Sequence, residues 1–143
     1  YSTTYKSICI LQSSRSILLG FLTMTICTSG DKYCSYIAFD AYKYFCNHHS
    51  GDIFSEKEIE VHYCDLTEDN VFGWCERVDE DSWLVTIHND LGYEEHFRTL
   101  FHEFTHVVQD IFGIKDEEIR ESQAYQIEGT MYREMCASLK SVL

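Results

Sequence analysis

The stretch His102-Glu103-Phe104-Thr105-His106, continued by Val107-Val108-Gln109, decides both the fold and the chemistry that this chain can support. On an α-helix, residues four apart lie on the same face, so the imidazoles of His102 and His106 can reach one metal ion. With about 100° of rotation per residue, six apolar side chains of the predicted helix lie within roughly 60° of Phe104. The two histidines lie at roughly 160° and 200° from it. The pattern therefore predicts a helix with a core face and, opposite it, two histidines directed into a cleft. The apolar members of the core face are Phe97, Leu100, Phe101, Val107, Val108 and Ile111.

Glu103 follows the first histidine and lies off the axis that joins the two imidazoles. That position suits a carboxylate that contacts a water molecule activated by the metal and not the metal itself. Two exposed histidines and a glutamate on a solvated helix face are the alternative interpretation. The uncharged residues around the motif, Phe101, Val107 and Val108, favour the metal site.

A catalytic zinc site usually has three protein ligands and a fourth position for water. No histidine follows His106, and Gln109 and Phe112 occupy the positions where a metzincin has Gly and His, so a carboxylate is expected as the third ligand. Glu121 and Glu128 lie on one stripe of a predicted C-terminal helix, and helix-rise arithmetic leaves both open. A helix-edge glutamate that bends out to solvent is the alternative.

The HExxH pattern, together with Glu121-Ser122-Gln123-Ala124, resembles the minimal gluzincin arrangement of compact phage-type, SprT-like or thermolysin-related metallopeptidases. Thr99-Leu100-Phe101 before the motif and Val107-Val108-Gln109 after it add to the likeness, which covers residues 59–135. The resemblance implies that His102, His106 and Glu121 bind Zn²⁺, with Glu128 as the alternative ligand. It also implies that Glu103 is the general base of an endopeptidase.

The implied reaction also needs a donor for the oxyanion and partners that orient the ligand imidazoles. Tyr125 is the preferred oxyanion donor, and the other candidates are His88, Tyr93 and Tyr132. Asp110 or Glu128 is expected to orient an imidazole. A zincin-like binding module without catalysis, and a zinc hydrolase that acts on a non-peptide substrate, are the alternative functions.

Three alternating segments predict strands over residues 58–63, 71–78 and 83–88. We expect an α+β, zincin-like fold in which this small, mostly antiparallel three-stranded sheet (58–88) packs on the active-site helix (93–113). A C-terminal helix (117–140) would carry the third ligand. The strand over residues 83–88 is expected at the cleft rim, where a peptide can add to it as a further strand.

Residues 1–50 are expected to be helical and to belong to a single compact domain over 1–143. The apolar run over residues 17–24 follows Lys6 and Arg15 and could mimic a secretion signal, but it is too short to span a bilayer and predicts a core helix. A second helix is expected over 32–46. The hydrophobic fraction of 45% is ample for a core.

The net charge of −13, from 24 acidic and 11 basic residues, argues against direct nucleic-acid binding, because phosphates would be repelled. A peptide or protein substrate is expected instead. The acidity either steers basic substrates to the site or only keeps the protein in solution. Seven cysteines without a CxxC pair are most consistent with reduced thiols in the cytoplasm, although export with some disulfides stays open.

Overall fold

The computed structural model describes residues 13–19, 22–28, 31–49 and 52–142, with the backbone alone for residues 13–28, 141 and 142 within those ranges. The described chain forms three helices and five strands, which confirms the α+β class. A 3-10 turn, Thr67–Asp69, lies between the third and fourth strands. In chain order the elements are β1 (Ser13–Leu19), β2 (Leu22–Thr28), α1 (Lys32–His48), β3 (Glu58–Cys64), β4 (Gly73–Asp79), β5 (Ser82–His88), α2 (Tyr93–Phe112) and α3 (Glu117–Val142).

The described strands form one mixed sheet in the order β1-β2-β3-β5-β4. β1 and β2 are antiparallel, β2 and β5 both run parallel to β3, and β4 pairs antiparallel with β5. The three strands predicted within residues 58–88 are present, but the prediction of a mostly antiparallel, three-stranded sheet is wrong. The chain passes from β3 to the outer strand β4 and then returns between the two, so β5 becomes central and parallel to β3.

The N-terminal part differs most from the expectation. The core helix predicted over residues 17–24 is wrong, because Ser13–Leu19 and Leu22–Thr28 are paired strands. Leu22, Met24 and Ile26 alternate with polar or small residues, and this period of two is the pattern of a strand. Residues 1–12 lie outside the described part of the chain. The helix predicted over 32–46 is confirmed as α1.

A core of aromatic and branched side chains lies between the sheet and helices α1 and α2. The rings of Phe45 and Phe104 meet edge to face at 5.6 Å, and Phe54 stacks on Phe45 at 5.6 Å. Removal of one such ring typically costs about 3–5 kcal/mol of folding free energy. The buried side chains that the strands contribute to this core are Ile59, Val61, Tyr63, Trp83, Val85 and Ile87.

Helix α2 begins at the predicted residue, ends one residue earlier than predicted and has the predicted core face. Glu94 and Glu95 lie in its first turn, where negative charge is favourable near the positive end of the helix dipole. Gly113 ends the helix in the left-handed conformation at φ 74°, which a glycine adopts without steric cost. Phe97, Leu100, Phe101, Phe104 and Val107 are all buried, whereas Val108 and Ile111 are partly buried at the margin of the core.

A short connection joins α2 to α3 and sets the two helices side by side. The N–H of Ile114 donates to the carbonyl of Gln109 at 2.9 Å, which closes the end of α2. Asp116 then caps α3 through a 3.1 Å hydrogen bond from the N–H of Ile119. The reversal of the chain brings the first turns of α3 next to the histidines of α2.

The cysteines whose side chains are described form no disulfide bonds with one another. Cys34, Cys46, Cys64, Cys75 and Cys136 are free thiols, while the side chains of Cys9 and Cys27 lie outside the described residues. Among the helices of the described ranges, none has the length and apolar character needed to cross a membrane.

Acid is expected to destabilise the fold through His96, which is buried and lies 2.7 Å from the hydroxyl of Tyr63 through its Nε2. Burial lowers the pKa of His96 from 6.5 to about 4. The unfolded chain therefore binds a proton on His96 below about pH 6.5, whereas the folded chain binds that proton only below about pH 4. Stability present above pH 6.5 is lost as the pH falls through this window, by at most about 3 kcal/mol.

Urea unfolding of the wild type and of His96→Gln at a series of pH values between 4 and 7 measures this contribution. The variant should show a smaller loss of unfolding free energy over the same interval. Equal losses in the two proteins would show that His96 does not control the acid sensitivity.

Candidate metal centre

A cleft of about 810 Å³ opens between the strand β4 and helices α2 and α3. His102, Glu103 and His106 line it from α2 and are 9%, 5% and 7% exposed. His102 and His106 occupy the side of α2 opposite Phe104, as the helical periodicity predicts, and Glu103 lies beside them. Helix α3 contributes Glu117, Glu121, Tyr125 and Glu128 to the lining.

One carboxylate of α3 lies between the two histidines of α2. Glu121 Oε2 is 3.1 Å from His102 Nε2, and Glu121 Oε1 is 3.2 Å from His106 Nε2. One donor atom from each of the three residues lies within 4.8 Å of the others. Within the described residues, this is the one group of three or more such side chains that could hold a metal ion.

The other ring nitrogen of each histidine has its own acceptor. His102 Nδ1 lies 3.0 Å from Glu128 Oε1, and His106 Nδ1 lies 2.8 Å from Gln109 Oε1. Because a carboxylate oxygen and an amide oxygen only accept hydrogen bonds, both Nδ1 atoms are donors. This arrangement leaves the Nε2 atoms as the nitrogens directed at Glu121, and it is the usual outer support of metal-binding histidines.

Glu128 is held away from the position between the two histidines. Its Oε1 accepts from His102, and its Oε2 accepts from Arg98 Nε at 3.1 Å. Arg98 is held in turn by Glu94, whose Oε2 accepts from Nη1 at 3.0 Å. Both oxygens of Glu128 therefore have partners on the Nδ1 side of His102, and Glu121 is the glutamate that faces both Nε2 atoms.

Burial and charge shift the pKa values of two neighbouring groups. Burial raises the pKa of Glu103 to about 7, opposed by His102 and reinforced by the carboxylates of Glu121 and Glu128. For His102, burial acts to lower the pKa, but the hydrogen bond to Glu128 and the surrounding carboxylates outweigh it and raise the pKa. The charged form of Glu103 is therefore disfavoured in this part of the cleft, whereas the charged form of His102 is favoured.

Of the four side chains predicted as oxyanion donors, Tyr125 lines the cleft, and its ring packs edge to face on His102 at 4.7 Å. His88 instead accepts a 3.0 Å hydrogen bond from the N–H of Leu66 through Nδ1. Tyr93 lines a separate groove with Phe97 and Met135. The hydroxyl of Tyr132 interacts with Cys136.

The expectation that Asp110 or Glu128 orients an imidazole holds for Glu128 and not for Asp110. The carboxylate of Asp110 accepts from Trp83 Nε1 at 2.9 Å and pairs with Arg120 at 2.9 Å, which ties α2 to the sheet and to α3. The neighbouring Gln109 contacts His106 instead. A signal for this residue exists in the sequence, because Gln109 follows His106 by three residues and side chains at that spacing are neighbours on a helix.

The prediction that the strand over residues 83–88 lies at the cleft rim is also wrong. β5 (Ser82–His88) has β3 on one side and β4 on the other, so its backbone is already paired. β4 stands at the end of the strand order, and its residues Gly73, Trp74 and Cys75 line the cleft. A Cβ at Gly73 would lie 2.7 Å from the carbonyl oxygen of Thr86, so glycine permits the close approach of the two strands there.

Neither a protein-family model nor a curated protein nor a solved structure matches this chain. The resemblance to gluzincins therefore rests on the motif residues alone.

Proposed function

We propose that this protein is a zinc-dependent metallopeptidase in which His102, His106 and Glu121 hold the metal. One observation carries the proposal: one nitrogen from each of two imidazoles and one carboxylate oxygen, supplied by two different helices, lie within 4.8 Å of one another in a cleft. The side chain of Glu121 is 40% exposed, but it lies in one cleft with the carboxylates of Glu103 and Glu128, and like charges that are close together are costly unless a cation compensates them. A divalent ion between His102, His106 and Glu121 gives that compensation.

The donor set fits zinc. Two imidazole nitrogens and one carboxylate form a common catalytic zinc site, with bonds of about 2.0–2.2 Å and one position left for water. Ligand atoms around such a tetrahedral ion lie roughly 3.3–3.6 Å apart. The distances of 3.1 and 3.2 Å from Glu121 to the two Nε2 atoms are close to that spacing.

Glu103 is the proposed general base. When bound, zinc would acidify a water molecule and polarise a substrate carbonyl. A carboxylate oxygen of Glu103 would accept the proton of the attacking water and deliver it to the leaving amine. The Tyr125 hydroxyl, on the α3 side of the cleft, would donate a hydrogen bond to the oxyanion.

The edge strand β4 gives the substrate a place to bind. An extended peptide can add to the edge of a sheet through backbone hydrogen bonds, and β4, the last strand in the order of the described sheet, borders the proposed metal site. Glu103, Glu117, Glu121 and Glu128 line the cleft against one guanidinium, that of Arg98. This excess of negative charge favours peptides with basic residues.

Metal analysis combined with a peptide library tests the proposal. The purified protein should contain about one zinc per chain, cleave members of a diverse peptide library and lose that cleavage on treatment with a chelator. Restoring zinc should restore it. Stoichiometric zinc without cleavage of any peptide would contradict the peptidase and favour a binding module, and absence of zinc binding would contradict the metal site itself.

A further inference from the structure

We propose that Gln109 is a positioning residue that fixes the metal-binding nitrogen of His106 and couples it to the turn of α3 that carries Glu121. This inference rests on the proposed metal site and extends it to a residue outside the HExxH motif. The side chain of Gln109 is 2% exposed and lies between the two helices.

Every polar hydrogen-bonding group of the Gln109 amide has a partner. Its Oε1 lies 2.8 Å from His106 Nδ1, and its Nε2 donates to the carbonyl oxygen of Arg120 and to Gln123 Oε1, both at 3.0 Å. A buried amide that is satisfied on all sides is held in one orientation, because rotation would leave groups without partners.

The backbone of Arg120 decides which way the amide points. A carbonyl oxygen can only accept, so the NH₂ group of Gln109 has to face Arg120 and the oxygen has to face His106. The reversed amide would place two oxygens 3.0 Å apart. With an acceptor fixed beside it, His106 Nδ1 carries a proton, so Nε2, which lies 3.2 Å from Glu121 Oε1, is the ring nitrogen left available to a metal.

The same amide connects the two helices that supply the ligands. Arg120 directly precedes Glu121 on α3, so the hydrogen bond from Gln109 holds the backbone next to the proposed carboxylate ligand. The side chain of Gln109 thereby holds both the imidazole of His106 and the backbone next to Glu121. His102 has a separate support, the pair of Glu128 and Arg98.

Two variants of Gln109 separate these roles. Gln109→Met keeps the length of the side chain but removes the acceptor and both donors, and we expect about 10–100-fold weaker zinc binding, the range typical of an outer partner of a ligand histidine. Gln109→Glu keeps an acceptor for His106 but places carboxylate oxygen against the Arg120 carbonyl. We expect it to preserve the His106 tautomer and still to bind zinc more weakly than the wild type.

Competition with a chromophoric zinc chelator gives the affinities, and nitrogen NMR of the histidine rings in the metal-free protein gives the tautomer. Gln126→Met, the same substitution at an exposed position of α3, is the matched control and should leave both unchanged. Thermal unfolding identifies any variant that fails to fold. If Gln109→Met does not fold, the zinc affinity and the His106 tautomer are measured on Gln109→Glu instead.

Zinc affinity of Gln109→Met within twofold of the wild type, with an unchanged His106 tautomer, would overturn the inference. Wild-type affinity in Gln109→Glu would overturn the coupling to α3. If the wild-type protein does not bind zinc, the proposed function fails, whereas the tautomer of His106 in metal-free wild type and Gln109→Met still decides the role of Gln109.

Discussion

Glu103→Gln is expected to abolish peptide hydrolysis while zinc stays bound at full stoichiometry. The amide has the shape of the carboxylate but cannot take up a proton from water at neutral pH. Positioned acid–base groups contribute about 10²–10⁴-fold to rates, so cleavage should fall by at least about a thousandfold, because Glu103 is proposed to act in both proton transfers. Initial rates on a cleaved library peptide, with zinc content measured on the same samples, give the comparison.

Glu95→Gln is the matched control for this substitution. Glu95 lies on the same helix, is exposed, and carries the same chemical change away from the cleft. Its rate should equal that of the wild type. Undiminished hydrolysis by Glu103→Gln would remove Glu103 as the base, and loss of zinc from that variant would show that the residue has a structural part in the metal site.

Glu121→Gln is expected to weaken zinc binding by more than about a hundredfold, whereas Glu128→Gln should weaken it by about 10–100-fold, as for outer partners of ligands. Glu121 faces both Nε2 atoms, while the oxygens of Glu128 bind His102 Nδ1 and Arg98. The first variant therefore removes a ligand, and the second removes only the support of one imidazole.

Chelator competition on the two variants measures the difference, with the exposed Glu118→Gln as the control from the first turn of α3. The reverse order of effects, with Glu128→Gln more severe than Glu121→Gln, would transfer the third-ligand role to Glu128. Equal and small effects would show that neither carboxylate binds the ion.

The sequence predicted α2 well because its information is local. The spacing of His102, Phe104 and His106 fixes which faces of one helix they occupy, and Gly113 marks its end. The same reasoning could not separate Glu121 from Glu128, because both lie on one stripe of α3. Only the path of the connection between the helices decides which of them meets the two imidazoles.

Sheet topology depends on distant contacts, and there the sequence was less informative. The strand segments within residues 58–88 were recognisable from their alternation, but strand order is not encoded in any one segment. The insertion of β5 between β3 and β4 makes β4 the edge strand beside the cleft. In the N-terminal part, the apolar run over residues 17–24 obscured the period of two in Leu22–Thr28.

The residues that hold the outer nitrogens of the two histidines could be predicted only in part. Glu128 was predictable as a polar residue on the apolar side of α3, and it supports His102. Gln109 was not among the residues expected to support an imidazole, whereas Asp110 was named as an alternative to Glu128. The carboxylate of Asp110 satisfies Trp83 and Arg120 instead, which are partners that are far from it in sequence.

A crystal structure of the zinc-soaked protein, with anomalous data collected on both sides of the zinc absorption edge, would locate the metal ion and its ligands. One anomalous peak is expected within about 2.0–2.2 Å of His102 Nε2, His106 Nε2 and a carboxylate oxygen of Glu121. A fully loaded protein whose peak lies elsewhere, or whose three side chains do not meet at the ion, would contradict the account.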